Sequence, residues 1–155
     1  MIRTTATVLA ALTLASPASA ESHGGDAAAG EEAFSQCQTC HVVVDEDGNT
    51  LAGKRAKTGP NLYGVVGRQA GVVDGFRYGK SLVEAGEAGL FWDEEQLVAY
   101  LQDPKEYLRT YLDDKRARSK MSYKVRSEED AVNLAAFLAT FSPAMDGDGE
   151  AAATN

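Results

Sequence analysis

The chain has little of what most metal and thiol sites are built from. It holds two cysteines and two histidines in 155 residues. A closed structural zinc site takes four Cys or His ligands. One histidine, His23, lies in a polar N-terminal stretch, so no four-ligand set gathers near the cysteines. Bases are also scarce, with 15 Lys and Arg against 23 Asp and Glu and a formal net charge of −8. That balance argues against nucleic acid as a partner. Internal repeats are absent. The apolar stretch near the N-terminus falls short of the roughly 20 residues that span a bilayer, so no stable membrane insertion is expected.

Both cysteines fall in one run, Cys37-Gln38-Thr39-Cys40-His41. A Cys-x-x-Cys-His run reads as a c-type haem attachment site. Two thiols at this spacing sit about one helical turn apart and reach the two vinyl groups on one porphyrin edge. The histidine that follows points its imidazole at the iron. A redox dithiol would share the Cys-x-x-Cys spacing but calls for a βαβ surround.

Residues 1–20 read as a secretory signal peptide. Arg3 is the only charge, Val8 to Leu14 form a short apolar core, and Ala18-Ser19-Ala20 offers small residues for cleavage. Export places the protein in the periplasm, where covalent haem attachment occurs in bacteria. An unprotected dithiol there would drift toward a disulfide. Cleavage leaves 14 bases and 23 acids, a net charge of −9. The remaining chain suffices for one domain, 21–142. So small a domain buries limited apolar surface, and a large apolar cofactor would form much of its core. Residues 143–155 are small and acidic, without periodicity, and read as a disordered tail.

The charge is unevenly placed. Between Asp103 and Arg126 stand eight bases and four acids, a net of +4, against −13 for the rest of the exported chain. Such a dipole orients encounters with charged partners.

Asp26 is placed to cap a helix from about Ala27, with Ala29, Ala33, Phe34 and Cys37 on one face. Val42-Val43-Val44 is apolar, and Asp45 to Asn49 reads as a turn tipped by Asp47-Gly48. Residues 52–71 read as ordered loop. Asp93 with Gln96 resembles a capping box ahead of the stripe Leu97, Val98 and Leu101. Asp103-Pro104 ends that helix and permits another, since proline suits a first helical position. Residues 109–120 read as a surface excursion. Ser127 caps a last helix with the stripe Leu134, Phe137, Leu138 and Phe141.

His41 supplies one axial iron ligand. Met121, Met145 and His23 remain for the other side. Met145 lies in the acidic tail and His23 in the N-terminal arm. Met121 lies in a polar loop between two expected helices, and it is favoured. A His/Met pair fills both axial positions and suits one-electron exchange, with no enzymatic bond chemistry. An open or labile sixth position would suit a haem-based sensor or peroxidase instead.

Taken together, the motifs are those of a known family. Residues 26–141 resemble a class I cytochrome c, and among these the bacterial cytochromes c2. The resemblance rests on the Cys37–His41 run and on Lys57-Thr58-Gly59-Pro60-Asn61-Leu62-Tyr63-Gly64-Val65-Val66-Gly67-Arg68. It rests also on Trp92-Asp93-Glu94-Glu95, Gln102-Asp103-Pro104 and Lys120-Met121. It implies an all-α fold, with N- and C-terminal helices crossing and loops enclosing a covalently bound haem c. The Pro60 carbonyl would accept a hydrogen bond from the axial imidazole. Arg68, Tyr78 and Trp92 would bond or neutralise a haem propionate. Tyr100 would stand near the axial thioether. Gly30 and Phe34 would meet Leu134 and Phe137 where the end helices cross. The two stretches His41–Pro60 and Tyr107–Met121 are longer than in the shortest family members. The implied function is a soluble, monomeric periplasmic electron carrier. It would take electrons from a cytochrome bc complex and deliver them to a photosynthetic reaction centre or terminal oxidase. Lys57, Lys105, Lys120 and Lys124 would steer this transient docking by charge.

Overall fold

The computed structural model describes residues 24–142. The expected signal peptide at 1–20, His23, Met145 and the expected tail at 143–155 lie outside them. The order is α1 (Ala27–Phe34), β1 (Val42–Val44), β2 (Thr50–Gly53), α2 (Lys80–Glu87), α3 (Glu94–Gln102), α4 (Pro104–Tyr111) and α5 (Glu128–Ala139). Among the described residues no helix is long and apolar enough to cross a membrane.

The helix starts follow from side-chain caps. The first backbone N–H groups of a helix lack intrahelical acceptors, and a short polar side chain supplies one. Asp26 accepts from Ala28 N at 2.8 Å and Ala29 N at 3.3 Å. Asp93 accepts from Gln96 N at 2.6 Å, and Ser127 from Asp130 N at 3.2 Å. Asp103 caps α4 through Glu106 N at 3.2 Å, with Pro104 at the first position.

The end helices α1 and α5 pack against each other, and α3 also packs on α5. Gly30 and Phe34 are the buried residues of α1. They face the buried Leu134, Phe137 and Leu138 stripe of α5. Phe34 and Phe137 lie 5.4 Å apart, ring centre to ring centre. Asn133, the one buried polar residue among the described residues, accepts from Asp26 N at 2.8 Å. That bond ties the start of α1 to the middle of α5. Leu108 of α4 is fully buried, and burial of a leucine contributes about 2 kcal/mol.

Three features depart from the expected layout. Val42–Val44 is a strand, paired antiparallel with Thr50–Gly53 around the expected Asp45–Asn49 turn. The start of the expected 52–71 loop therefore belongs to β2. Residues Lys80–Glu87 form α2, which no side chain caps. The expected surface excursion at 109–120 begins as helix, because α4 runs through Tyr111, and its Ala117 is buried.

Candidate functional site

The turn after α1 sets the thiols. Cys37 N donates to Phe34 O at 2.8 Å, Cys40 N to Cys37 O at 3.0 Å, and His41 N to Cys37 O at 2.9 Å. The backbone thus keeps winding past the end of α1. Cys37, Cys40 and His41 all face one cavity of about 810 Å³, whose wall is mainly apolar.

His41 is held in one orientation. Its Nδ1 lies 3.1 Å from Pro60 O. A carbonyl oxygen only accepts, so Nδ1 carries the proton and Nε2 keeps a free lone pair. Gly59 packs flat against the ring, and a Cβ there would fall 2.3 Å from His41 Cε1. Gly59 N also donates to Cys40 O at 2.7 Å, pinning this segment to the cysteine turn. Burial lowers the His41 pKa, and the Pro60 bond offsets only part of that shift. The imidazole is therefore neutral at pH 7, as a metal ligand must be.

Cys37 behaves differently from a redox thiol. Burial, and then the neighbouring Cys40, push its pKa up to about 11. A thiol–disulfide catalyst needs a lowered thiol pKa, and this site raises it. Among the described residues no three His, Cys, Asp or Glu side chains gather as a metal-ion cluster.

The other expected site residues line the same cavity. Arg68, Tyr78, Trp92, Tyr100 and Met121 all face it. The Arg68 guanidinium donates to Tyr63 O at 2.6 Å and Asn61 O at 3.1 Å. It has five N–H donors, so two bonds leave it able to meet an anionic group. Burial lowers its pKa, and the nearby Tyr78 hydroxyl opposes that shift. Trp92 is buried, with its ring 5.0 Å from Tyr100 and edge-on to it.

Met121 lies between α4 and α5 and packs against the core. Its N–H donates to Ser119 Oγ at 3.1 Å. Ser119 Oγ also lies 3.1 Å from Tyr100 Oη. One serine thus links the Met121 backbone to a buried phenol. Ser119 is not among the site residues expected from the sequence. Its signal is a hydroxyl two residues before the methionine, the spacing at which serine turns back on the backbone. Gln36, Arg77 and Tyr123 also line the cavity and lie outside the expected set.

The residues present fit a large flat apolar group. Two thiols, a neutral imidazole and a thioether line one mainly apolar cavity, and the glycine at position 59 leaves room for the ring of His41.

No family model matches the chain. Individual relatives do. The chain is 60% identical to cytochrome c2 of Rhodovulum adriaticum over 116 residues, which is 75% of this chain and 92% of the relative. It is 47% identical to cytochrome c-550 of Paracoccus denitrificans, across 94% of this chain and 92% of the relative. The chain belongs to the cytochrome c2 family of class I c-type cytochromes. The solved cytochrome c2 of Rhodobacter sphaeroides superposes with a TM-score of 0.75 at 54% identity, covering 76% of this chain and 97% of that one. As in this family, the cofactor is one covalently attached haem c, and the role is electron transport.

Proposed function

We propose that this cytochrome is a soluble, monomeric periplasmic one-electron carrier whose iron is held between His41 and Met121. Haem, when bound, supplies a one-electron iron couple. Cys37 and Cys40 fix it covalently to the turn after α1. Pro60 O holds the His41 imidazole and makes it a stronger donor. Met121, which lines the same cavity, would supply the second protein ligand, and an iron with both ligands supplied by the protein would leave no site for substrate. The chain therefore carries electrons and catalyses no bond change. Arg68, Tyr78 and Trp92 stabilise the propionates, since a buried carboxylate needs hydrogen-bonded or charged partners.

The observation that carries this reading is the sharing of one apolar cavity by His41, Met121 and both thiols. Absorption spectra of the oxidised and reduced holoprotein test it. The weak long-wavelength band of methionine-ligated ferric haem is expected in the wild type and lost in Met121→Ala. Its absence from the wild type would overturn the assignment and favour a sensor or peroxidase with an open site.

The donor is a cytochrome bc complex, and the acceptor is a photosynthetic reaction centre or a terminal oxidase. Lys57 and Lys120 line the cavity mouth, and Lys124 lines the adjoining groove. Lys105 is exposed on α4. Positive charge at the mouth of an acidic protein suits brief encounters with acidic partners. Reduction rates with membranes containing the bc complex should fall as salt rises. Rates indifferent to ionic strength would remove the steering role.

A further inference from the structure

Two cavities meet at one pair of side chains. The apolar cavity and a more polar outer groove share Gln36, Ser122 and Tyr123 as wall residues. Across that wall the Tyr123 hydroxyl donates to Gln36 Oε1, joining residues 87 apart in sequence. Both side chains are exposed, so the bond lies where the cavity opens to water.

What the bond connects sets it apart. Segment 117–125, which carries Met121, has several other anchors. Arg118 N donates to Ser81 Oγ at 3.1 Å, and Lys120 Nζ to Arg77 O at 2.6 Å. Lys124 Nζ meets Asp103 Oδ2 at 2.5 Å, and Val125 N donates to Leu101 O at 2.9 Å. Every one of these holds the segment to residues 77–103. Among the described residues, only the Tyr123–Gln36 bond joins it by side chains to the turn that bears Cys37, Cys40 and His41. The two sides of the cavity are thus fastened to each other at the mouth by one exposed hydrogen bond.

We propose that Tyr123 and Gln36 form a latch that sets how often segment 117–125 lifts from the cysteine turn. Tyr123 is thereby a positioning residue for Met121, and the latch governs the entry of small ligands to the iron side that Met121 covers. This second consequence rests on the reading of Met121 as an iron ligand. Water competes for an exposed hydrogen bond, so its net worth is small. The latch therefore opens often and reseals. The apparent affinity of a ligand that needs the open form scales with the open fraction.

A double-mutant cycle tests the latch in the ferric holoprotein, with imidazole as the probe. Tyr123→Phe keeps the ring and removes the donor. Gln36→Leu removes the acceptor at similar size. Each single change should raise apparent imidazole affinity about threefold, and the double change no further. Amide hydrogen exchange across 117–125 should rise by a similar factor in all three variants, while α1 and α5 keep their protection. The latch is overturned if exchange in 117–125 is unmoved by Tyr123→Phe. It is also overturned if the two effects multiply, or if protection falls equally throughout the protein. The exchange measurement does not depend on iron ligation. A wild type without the weak ferric band would remove the Met121 reading and leave the latch to be judged by exchange alone.

Discussion

Gly30 of α1 sits directly on the backbone of Asn133 in α5, where a methyl group would come within 2.0 Å of the Asn133 carbonyl oxygen. Backbone cannot yield as a flexible side chain does. Gly30→Ala should therefore force the end helices apart and destabilise the fold by about 3 kcal/mol, the upper end for overpacking. Denaturant unfolding followed by circular dichroism measures it.

The His41 ring is held by two neighbouring residues, by the Pro60 carbonyl at Nδ1 and by close contact with Gly59. Gly59→Ala should push the imidazole off Pro60 O. The Nδ1 proton should exchange at least tenfold faster than in the wild type, as expected for a lost buried hydrogen bond. Proton NMR of the holoprotein reads this directly.

Tyr100 and Met121 communicate through Ser119. Tyr100→Phe removes the phenol hydroxyl and frees Ser119 to reorient. A redox titration should show the potential move by a few tens of mV, the equivalent of about 1 kcal/mol for one electron. Helix content should stay unchanged.

Asp103 titrates below the ordinary carboxylate range, first because of the hydrogen bond from Lys124 and then because of the Glu106 N–H. A carboxylate with a depressed pKa stabilises the fold at pH values above its unfolded pKa. That contribution fades as pH falls through the folded pKa. Asp103→Asn keeps a capping oxygen but loses the charge. Its stability should match wild type at low pH and fall below it at neutral pH. Urea unfolding at a series of pH values checks the crossover.

Much of this molecule was legible because its signals are local. Asp26, Asp93, Pro104 and Ser127 mark helix starts by their own chemistry, and each stands where the caps lie. The Cys37–His41 run needs no distant partner to be recognised. What escaped needs context. Strand β2 is half exposed and carries no clear alternation, so its pairing with Val42–Val44 is visible only in three dimensions. Helix α2 has Gly79 in place of a polar cap, and Gly86 within it. That glycine lowers helix propensity, yet it is required by contact: a Cβ at Gly86 would come within 2.0 Å of Ala70 O. The Tyr123–Gln36 pair, and the Tyr100 side of the Ser119 link, are hidden for the same reason, since these partners lie 87 and 19 residues apart.

The pairing of α1 with α5 has a consequence for assembly. The cysteine turn follows the first helix of the described chain, and the surface that locks this helix belongs to the last one. The enclosure around the thiols therefore stays incomplete until almost the whole domain is present. Contacts so distant along the chain carry a loop-closure cost that local turns do not. Leu134 and Leu138 of this last described helix wall the same cavity as both sulfurs, so the pocket a porphyrin would fill is complete only once that helix has docked.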